Sequence, residues 1–287
     1  MAFSLPNFDL DTFIRATLAE DLGEGGDITS AAVIPANARL TAIMASRDAV
    51  VVAGLPLAKA FFSALDSDVT VEHLAADGDR VAAGTALLRL TGNARALLAA
   101  ERSALNTVQH LTGIATLTRT YVDAIAGTGA ILLDTRKTLP GLRLLEKYAT
   151  RMGGATNHRL RLDDGVMIKD NHIAIAGGVE AAVRAATAAG LGRTSAPGSV
   201  GIVVEVDRID QIEPALAAGA DRLLLDNMDV PTLRAAVALI AGRVPTEASG
   251  GVRLDTIRAI AQTGVTFISV GRLTQSAPAA DIGLDYA

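Results

Sequence analysis

The sequence predicts an α/β protein of two domains, an N-terminal α+β domain with a sheet and a C-terminal α/β barrel. A length of 287 residues is enough for one large domain or two smaller ones. In the second half, short apolar runs alternate with alanine-rich helical stretches, and the N-terminal third lacks this repeat. Continuous apolar strands that alternate with helices indicate a parallel sheet buried on both faces. A closed or nearly closed barrel is therefore favoured, with an open doubly wound sheet as the alternative.

The N-terminal domain is predicted over residues 1–112, including a linker helix, and the barrel over residues 113–287. The domain prediction leaves open that the last ~15 residues of the chain return to the first domain. Strand-like runs alternate with turn signals in the first domain, and segment 76–92 resembles the hairpins of lipoyl-like carrier domains. No lysine stands at a hairpin tip, which argues against a covalent carrier role.

The linker helix is predicted from residue 94 to about residue 126, where the sequence is strongly helical. It carries four polar residues at positions i, i+4, i+7 and i+8, namely Arg102, Asn106, Gln109 and His110. One interpretation of this stripe is a solvent-exposed face. Because the rest of the helix is too apolar to be freely exposed, the stripe is predicted to face a site.

Six apolar runs form the predicted barrel strands, and each ends in polar or glycine residues. The runs begin at Ile131, Gly165, Gly201, Arg222, Thr246 and Phe267. Helices are predicted between them over residues 143–152, 179–189, 209–218, 230–241 and 254–263. Because barrel active sites lie at the carboxyl ends of strands, these polar endings are candidate site residues.

A cationic stretch between Asp134 and His172 stands out in a chain whose net charge is −5. Four cations follow or flank apolar runs there: Arg136, Lys137, Arg159 and Lys169. Arginine offers a planar fork to carboxylates and phosphates, and lysine a compact point charge. The mixture favours a pocket for a ligand that carries both groups. The alternative is that the cations form structural ion pairs with Asp134, Asp163 and Asp164.

Two further groups of residues follow later strands. Glu205 and Asp226 supply hard oxygen ligands that suit a magnesium ion shared with substrate phosphates. They could instead be partners for the cations of the pocket. Glycine-rich turns at Ser249-Gly250-Gly251 and Ser269-Val270-Gly271 let backbone amides approach a phosphate, and late barrel loops are its usual site.

Composition and missing motifs exclude several classes of function. The chain has no cysteine, which excludes disulfides, thiolate metal sites and cysteine nucleophiles. It has no apolar run of the roughly 20 residues that a bilayer span needs, and its acidic balance argues against a nucleic-acid partner. We expect a cytoplasmic protein. Serine-hydrolase, zinc-protease, dinucleotide-binding and Walker motifs are also missing. Transfer at an anomeric carbon with loss of a phosphate-type group fits these limits, because it depends on positioning and charge.

The chain resembles the quinolinate phosphoribosyltransferases, also called carboxylating nicotinate-nucleotide pyrophosphorylases. The similarity spans nearly the whole chain in family order. The matching segments are EDLGEGGDITS, ERSALNTVQHLTGIAT, DTRKTLPGLRLLEKYA, GGATNHRLRLDDGVMIKDNH, VEVD, LLLDNM, EASGG and ISVG.

The resemblance implies a reaction, a fold and an assembly. Phosphoribosyl pyrophosphate and quinolinate would give nicotinate mononucleotide, pyrophosphate and CO₂ in de novo NAD biosynthesis, with Mg²⁺ required. The enzyme would be a pentosyltransferase with an N-terminal α+β sheet domain and an irregular, partly open α/β barrel. It also implies a homodimer with shared active sites, possible further assembly to a hexamer, and no nucleic-acid or membrane partner.

The same resemblance assigns roles to matching residues. Arg136, His158 and Arg159 would bind the quinolinate carboxylates, joined by Arg102 of the neighbouring subunit. Lys137 and Lys169 would bind the substrate carboxylate and pyrophosphate and act as catalytic residues. Glu205 and Asp226, also catalytic, would hold the ribose hydroxyls and Mg²⁺. The 5-phosphate would lie against Ser249, Gly250, Ser269 and Gly271, and His172 would orient Lys169.

Three alternatives remain from the sequence. One is a related phosphoribosyltransferase-like protein of molybdate-transport operons, and another is a nicotinate-specific phosphoribosyltransferase. The third is a non-catalytic phosphate-binding protein that kept the barrel. Cations and carboxylates at every strand end argue against this last alternative, because a scaffold has no reason to crowd like charges.

Overall fold

The structure, a computed structural model, describes residues 5–192 and 201–286. The chain divides into two compact units, the first of which comprises residues 1–119, 140–154 and 276–287. The second comprises residues 120–139 and 155–275. The boundary predicted between residues 112 and 113 stays a prediction.

The elements up to the long helix belong largely to the first unit. In chain order they are α1 (Leu10–Leu22), α2 (Ile28–Val33), β1 (Arg39–Ser46), β2 (Val50–Val51), α3 (Leu55–Leu65), β3 (Thr70–His73), β4 (Arg80–Val81), β5 (Ala86–Asn93) and α4 (Ala94–Ala124). Asp9 and Asp27 begin the first two helices, where their carboxylates accept hydrogen bonds from Thr12 N (3.0 Å) and Ser30 N (2.9 Å).

The remaining elements form the barrel, except that α5 and β12 belong to the first unit. They are β6 (Ile131–Leu133), α5 (Arg143–Met152), β7 (Val166–Ile168), α6 (Asp170–Ala176), α7 (Val179–Ala188), β8 (Ile202–Val206), a 3₁₀ turn (Ile209–Gln211), α8 (Ile212–Ala217), β9 (Arg222–Asp226), α9 (Val230–Ile240), β10 (Thr246–Ser249), α10 (Ile257–Ala261), β11 (Phe267–Ser269), α11 (Arg272–Gln275) and β12 (Ile282–Tyr286). The five predicted barrel helices are present, although the one expected over residues 254–263 is shorter and the one over 209–218 begins with the 3₁₀ turn.

The first unit is built on an antiparallel sheet in the order β12-β1-β5-β3. Its core lies between this sheet and helices α1, α3 and α4. Phe61 and Phe62 of α3 are fully buried there, and burial of such a side chain contributes about 1.5–3 kcal/mol. The last strand of the chain pairs with β1, from Ala42 opposite Tyr286 to Ser46 opposite Ile282.

Helix α5 also belongs to the first unit, where two buried polar contacts hold it. Tyr148 donates a 2.6 Å hydrogen bond to Asp77, whose carboxylate also accepts from the N–H groups at the start of α3. His110 Nε2 lies 2.9 Å from Glu146 Oε1, and Gln109 Nε2 donates a 2.7 Å hydrogen bond to Ile282 O. Gln109 and His110 therefore both bond groups of their own unit, and the expectation that the polar stripe of α4 faces a site stays a prediction.

The second unit is a parallel six-stranded sheet in the order β6-β11-β10-β9-β8-β7. Among the described residues no ladder joins the edge strands β6 and β7, although Leu133 forms a parallel bridge with Thr156. The barrel is therefore open between these strands, which confirms the partly open α/β barrel and corrects the closed one. Helices of the described ranges are too short or too polar to cross a bilayer.

Candidate functional site

A cavity of about 690 Å³ opens at the carboxyl ends of the strands of the second unit. Eleven of the twelve predicted site residues line it: Arg136, Lys137, His158, Arg159, Lys169, Glu205, Asp226, Ser249, Gly250, Ser269 and Gly271. The twelfth, Arg102, lies on α4 in the first unit, where its half-exposed guanidinium lies 3.5 Å from Asn106 Oδ1. Polar residues at or next to strand ends predicted most of these barrel residues, whereas the role of His158 was assigned from the family resemblance.

The charge of the cavity is opposite to that of the whole chain. Six cationic side chains line it, namely Arg136, Lys137, Arg159, Lys169, Arg253 and Arg272, against three carboxylates, Glu205, Asp226 and Glu247. A concave wall with a positive excess raises the local concentration of anions, even in a protein with net charge −5.

Arg136 and Lys137 follow β6 and extend from a loop whose backbone is fixed. Lys137 N donates to Thr135 Oγ1 (3.0 Å), and Thr274 Oγ1 donates to Lys137 O (2.7 Å). Within the described ranges, neither the Arg136 guanidinium nor the Lys137 ammonium has a hydrogen-bond or ion-pair partner, and Arg136 Nε is buried. A Cβ at Gly271 would lie 2.7 Å from Lys137 Cδ, so glycine provides the room for this lysine. Both cations are available to a ligand.

The three acidic residues near these cations, Asp134, Asp163 and Asp164, bond neighbouring backbone and side-chain groups. Asp134 is fully buried and accepts hydrogen bonds from Asn157 Nδ2 (2.6 Å) and His158 N (2.8 Å). Asp163 pairs with Arg161 at 2.8 Å, and Asp164 accepts from two backbone N–H groups. These bonds shape the segment that carries His158 and Arg159, which favours the ligand pocket over the alternative of structural ion pairs.

The guanidinium of Arg159 donates a hydrogen bond from its Nη1 to Gly165 O at 2.7 Å. Burial lowers the pKa of this guanidinium, and the positive charge of Arg136 lowers it further. Two guanidiniums that repel each other across a cavity are stabilised by an anion between them. The pair is therefore suited to a carboxylate-bearing ligand.

His158 is nearly buried, and both of its ring nitrogens are directed at protein groups. Nδ1 accepts a 2.7 Å hydrogen bond from Arg159 N, and Nε2 lies 3.4 Å from Glu247 Oε2. Glu247 also pairs with Arg222 Nη1 at 3.2 Å. Sequence reasoning missed Glu247 and Arg222. The available signal was Glu247, an acidic residue two positions before Ser249 and therefore on the same strand face.

Lys169 and Glu205 pair at the ends of neighbouring strands, with 2.5 Å between Nζ and Oε2. Lys169 is the N-cap residue directly before α6, and its N–H donates a 3.0 Å hydrogen bond to His172 Nδ1. His172 therefore bonds the backbone of Lys169, and its role in orienting the Lys169 side chain stays a prediction. Asp226, at the end of the next strand, accepts a 2.7 Å hydrogen bond from Asn227 Nδ2.

The turn after β10 requires glycine at Gly250. Its φ is +88°, and a Cβ there would lie 2.2 Å from Asn227 Oδ1 and 2.8 Å from Asn227 N. Asn227 is itself in a left-handed conformation, with φ of +53°. The two residues bring the turn of β10 against the end of β9 so that backbone amides can line the cavity.

Comparisons with known proteins show the family of the chain. The family "Quinolinate phosphoribosyl transferase, N-terminal domain" matches residues 27–112, and its C-terminal domain family matches residues 114–285. A carboxylating nicotinate-nucleotide pyrophosphorylase of Mycobacterium leprae is 45% identical over 280 residues, which cover 95% of each chain. The chloroplastic enzyme of the same name from Arabidopsis thaliana is 42% identical over 98% of this chain and 84% of its own.

Solved structures give the same result. The nicotinate-nucleotide pyrophosphorylase of Francisella tularensis superposes with a TM-score of 0.91 at 38% identity, covering 99% of this chain and 98% of its own. Human nicotinic acid phosphoribosyltransferase, at 14% identity and a TM-score of 0.61 over 98% of this chain and 74% of its own, shares the fold. The chain belongs to the quinolinate phosphoribosyltransferase family.

Proposed function

We propose that the chain transfers a phosphoribosyl group from phosphoribosyl pyrophosphate to quinolinate, with decarboxylation, to give nicotinate mononucleotide, pyrophosphate and CO₂. This makes it a pentosyltransferase of de novo NAD biosynthesis. One observation carries the proposal: Arg136 and Lys137, whose charged groups have no partner among the described residues, line the cavity together with carboxylates and glycine turns.

The dicarboxylate is assigned to the wall formed by Arg136, His158 and Arg159. Two guanidiniums can each take one carboxylate in a planar fork. His158 already bonds the backbone of Arg159 and faces Glu247, so in our proposal it shapes this wall as well as contacting the ligand.

The phosphates are assigned to the lysines and the glycine turns. The backbone amides of Ser249, Gly250 and Gly271, with the Ser269 hydroxyl, would bind the 5-phosphate, because glycine lets the chain approach closely. Lys137 would bind the pyrophosphate, since its ammonium has no partner among the described residues.

Glu205 and Asp226 are assigned to the ribose hydroxyls and to Mg²⁺. No cluster of three or more acidic or histidine ligands is present in the described ranges, so these two carboxylates fit an ion that completes its shell with substrate oxygens and water. Bound there, Mg²⁺ would neutralise charge on the leaving pyrophosphate. Lys169 pairs with Glu205 in the structure, so we expect it to exchange this carboxylate for a substrate anion.

This arrangement suits a reaction that needs no protein base. The quinolinate nitrogen attacks the anomeric carbon with its lone pair, while the bond to pyrophosphate breaks and its electrons leave with the oxygen. Positive charge that develops on the ribose is stabilised by Glu205 and Asp226. Decarboxylation then returns the electrons of the broken carbon–carbon bond to the cationic ring, which takes up a proton.

We further propose a cytoplasmic homodimer with shared active sites, able to assemble to a hexamer, with no nucleic-acid or membrane partner. Arg102 supports a shared site, because its half-exposed guanidinium lies in the first unit whereas the cavity is lined by the second. In the dimer, Arg102 of one subunit would complete the dicarboxylate wall of the other.

The proposal is tested by incubating the protein with phosphoribosyl pyrophosphate, Mg²⁺ and either quinolinate or nicotinate. We expect one CO₂ per nicotinate mononucleotide with quinolinate, no product with nicotinate, and loss of activity with a chelator. Turnover of nicotinate without CO₂ would indicate a nicotinate phosphoribosyltransferase. Turnover of neither would favour the relative of molybdate-transport operons or a non-catalytic protein.

A further inference from the structure

A buried ion pair lies below the cavity, and the proposed reaction does not use it. Glu247 on β10 is fully buried, and its Oε2 lies 3.2 Å from Nη1 of Arg222 on β9, which is 9% exposed. Replacing such a pair by apolar residues is often neutral or stabilising. Stability alone therefore does not account for two charges at this depth.

Arg222 is fixed in place on two sides. Its guanidinium stacks over the ring of Phe267 on β11, 4.1 Å from the centroid. Among the residues that the structure describes, Glu247 is the only hydrogen-bond acceptor of this guanidinium, and Arg222 Nε is buried without a partner. The contacts of Arg222 are thus directed at the carboxylate of Glu247.

Glu247 in turn faces His158, whose ring reaches the carboxylate-binding wall. The ring nitrogen Nδ1 accepts the backbone hydrogen bond from Arg159, so it carries no proton. The ring proton therefore lies on Nε2, which faces Glu247 Oε2 at 3.4 Å. The tautomer of a histidine is set by such partners.

We propose that Arg222 is a positioning residue: it keeps Glu247 as a carboxylate, which fixes His158 in the Nε2–H tautomer and places Arg159 for the dicarboxylate. The step to the dicarboxylate rests on the proposed function. The relay itself, from Arg222 through Glu247 to His158, rests on the geometry alone.

The titration of Glu247 agrees with this relay. Burial raises the pKa of Glu247, but the nearby His158 ring, the Ser269 hydroxyl and the charge of Arg222 outweigh burial and lower it. Loss of Arg222 removes one of the lowering contributions, so Glu247 then takes up a proton at higher pH. The groups that face this carboxylate are His158, Arg222 on β9 and Ser269 on β11.

The kinetic test compares Arg222→Met, which removes the charge at similar size, with Arg222→Lys, which keeps it. We expect Arg222→Met to raise the KM for quinolinate roughly tenfold while the KM for phosphoribosyl pyrophosphate changes less than about twofold. Arg222→Lys should recover most of the loss, and the acid limb of kcat/KM for quinolinate should move to higher pH in Arg222→Met. Arg184→Met is the control, because Arg184 is an exposed arginine on α7 of the same unit. Equal losses for both substrates, or no rescue by lysine, would contradict the proposal.

A spectroscopic test separates the relay from the proposed function. The chain has four histidines, so ¹⁵N NMR of the imidazoles is tractable and His158→Gln assigns the signal. We expect wild-type His158 to be the Nε2–H tautomer near neutral pH, and Glu247→Gln or Arg222→Met to disturb it. An Nδ1–H tautomer or an imidazolium in the wild type overturns the relay, whatever the activity. The expected tautomer without quinolinate turnover leaves the relay standing and rejects the function.

Discussion

Gly250→Ala is expected to damage the phosphate site through a clash that its neighbour Gly251 lacks. At Gly250, φ is +88° and the new Cβ would lie 2.2 Å from Asn227 Oδ1 and 2.8 Å from the backbone N of Asn227. A left-handed alanine costs about 1–2 kcal/mol, and overpacking against a backbone that cannot move freely adds about 1–3 kcal/mol. Together these terms give a strain of about 2–5 kcal/mol. We expect the turn after β10 to shift away from Asn227 and so relieve this strain.

Gly251→Ala is the matched control. Its φ of +60° carries the conformational cost of about 1–2 kcal/mol, but nothing lies within 4 Å of the added Cβ. Urea unfolding gives the stability of both variants, and steady-state kinetics give the KM for each substrate. We expect Gly250→Ala to be the less stable variant and to raise the KM for phosphoribosyl pyrophosphate roughly tenfold or more, because a loss of 1.4 kcal/mol in binding is tenfold. Equal effects of the two substitutions would refute this reasoning.

Other substitutions test the site and the first unit. Lys137→Ala and Glu205→Ala should each lower turnover by roughly 10²-fold or more with the fold intact by circular dichroism, and unchanged activity in either would refute its assigned role. Arg102→Ala should mainly raise the KM for quinolinate, and mixing it with Glu205→Ala should restore part of the activity; no restoration argues against a shared site. Burial raises the pKa of Asp77, so the native state binds more protons than the unfolded chain and stability falls as pH rises from about 3.8 through the folded pKa. Tyr148→Phe removes a hydrogen bond that lowers this pKa, so urea unfolding should show a loss of about 1–3 kcal/mol at pH 7 that shrinks as pH falls through the folded pKa of Asp77, which lies above 3.8. An equal loss at pH 7 and at about pH 3.8 would contradict it.

The barrel could be predicted from sequence because its strands are continuous apolar runs that end abruptly in polar residues. Glu205 and Asp226 are examples, since each follows buried aliphatic residues and lies at a strand end in the structure. Helix α6 was not predicted from the sequence, because it lacks an apolar pattern. It begins directly after Lys169 within a charged segment and has no buried residues, so no apolar period marks it.

Side chains whose partners are distant in sequence could not be predicted. Gln109 bonds the carbonyl of Ile282, 173 residues away, and this contact depends on the pairing of β12 with β1. Arg222 was placed at the start of an apolar run, and its partner Glu247 lies on the next strand. Buried strands are recognised from sequence by their apolar residues. A charged residue inside such a strand does not fit this pattern, so the Arg222–Glu247 pair could not be predicted from it.

The net charge of the cavity gives a physical reason why Mg²⁺ and Arg102 would be needed to bind the two proposed substrates together. Six cations against three carboxylates leave an excess of three positive charges, and one of the six, Lys169, is already paired with Glu205. A dicarboxylate together with a sugar that bears a phosphate and a diphosphate carries more negative charge than this excess. Uncompensated charge in a partly enclosed site is costly, so additional cations are needed when both ligands are bound. We expect Mg²⁺ to supply that charge at the pyrophosphate and Arg102 of a second subunit to supply it at the dicarboxylate, which would make ternary-complex formation depend on both.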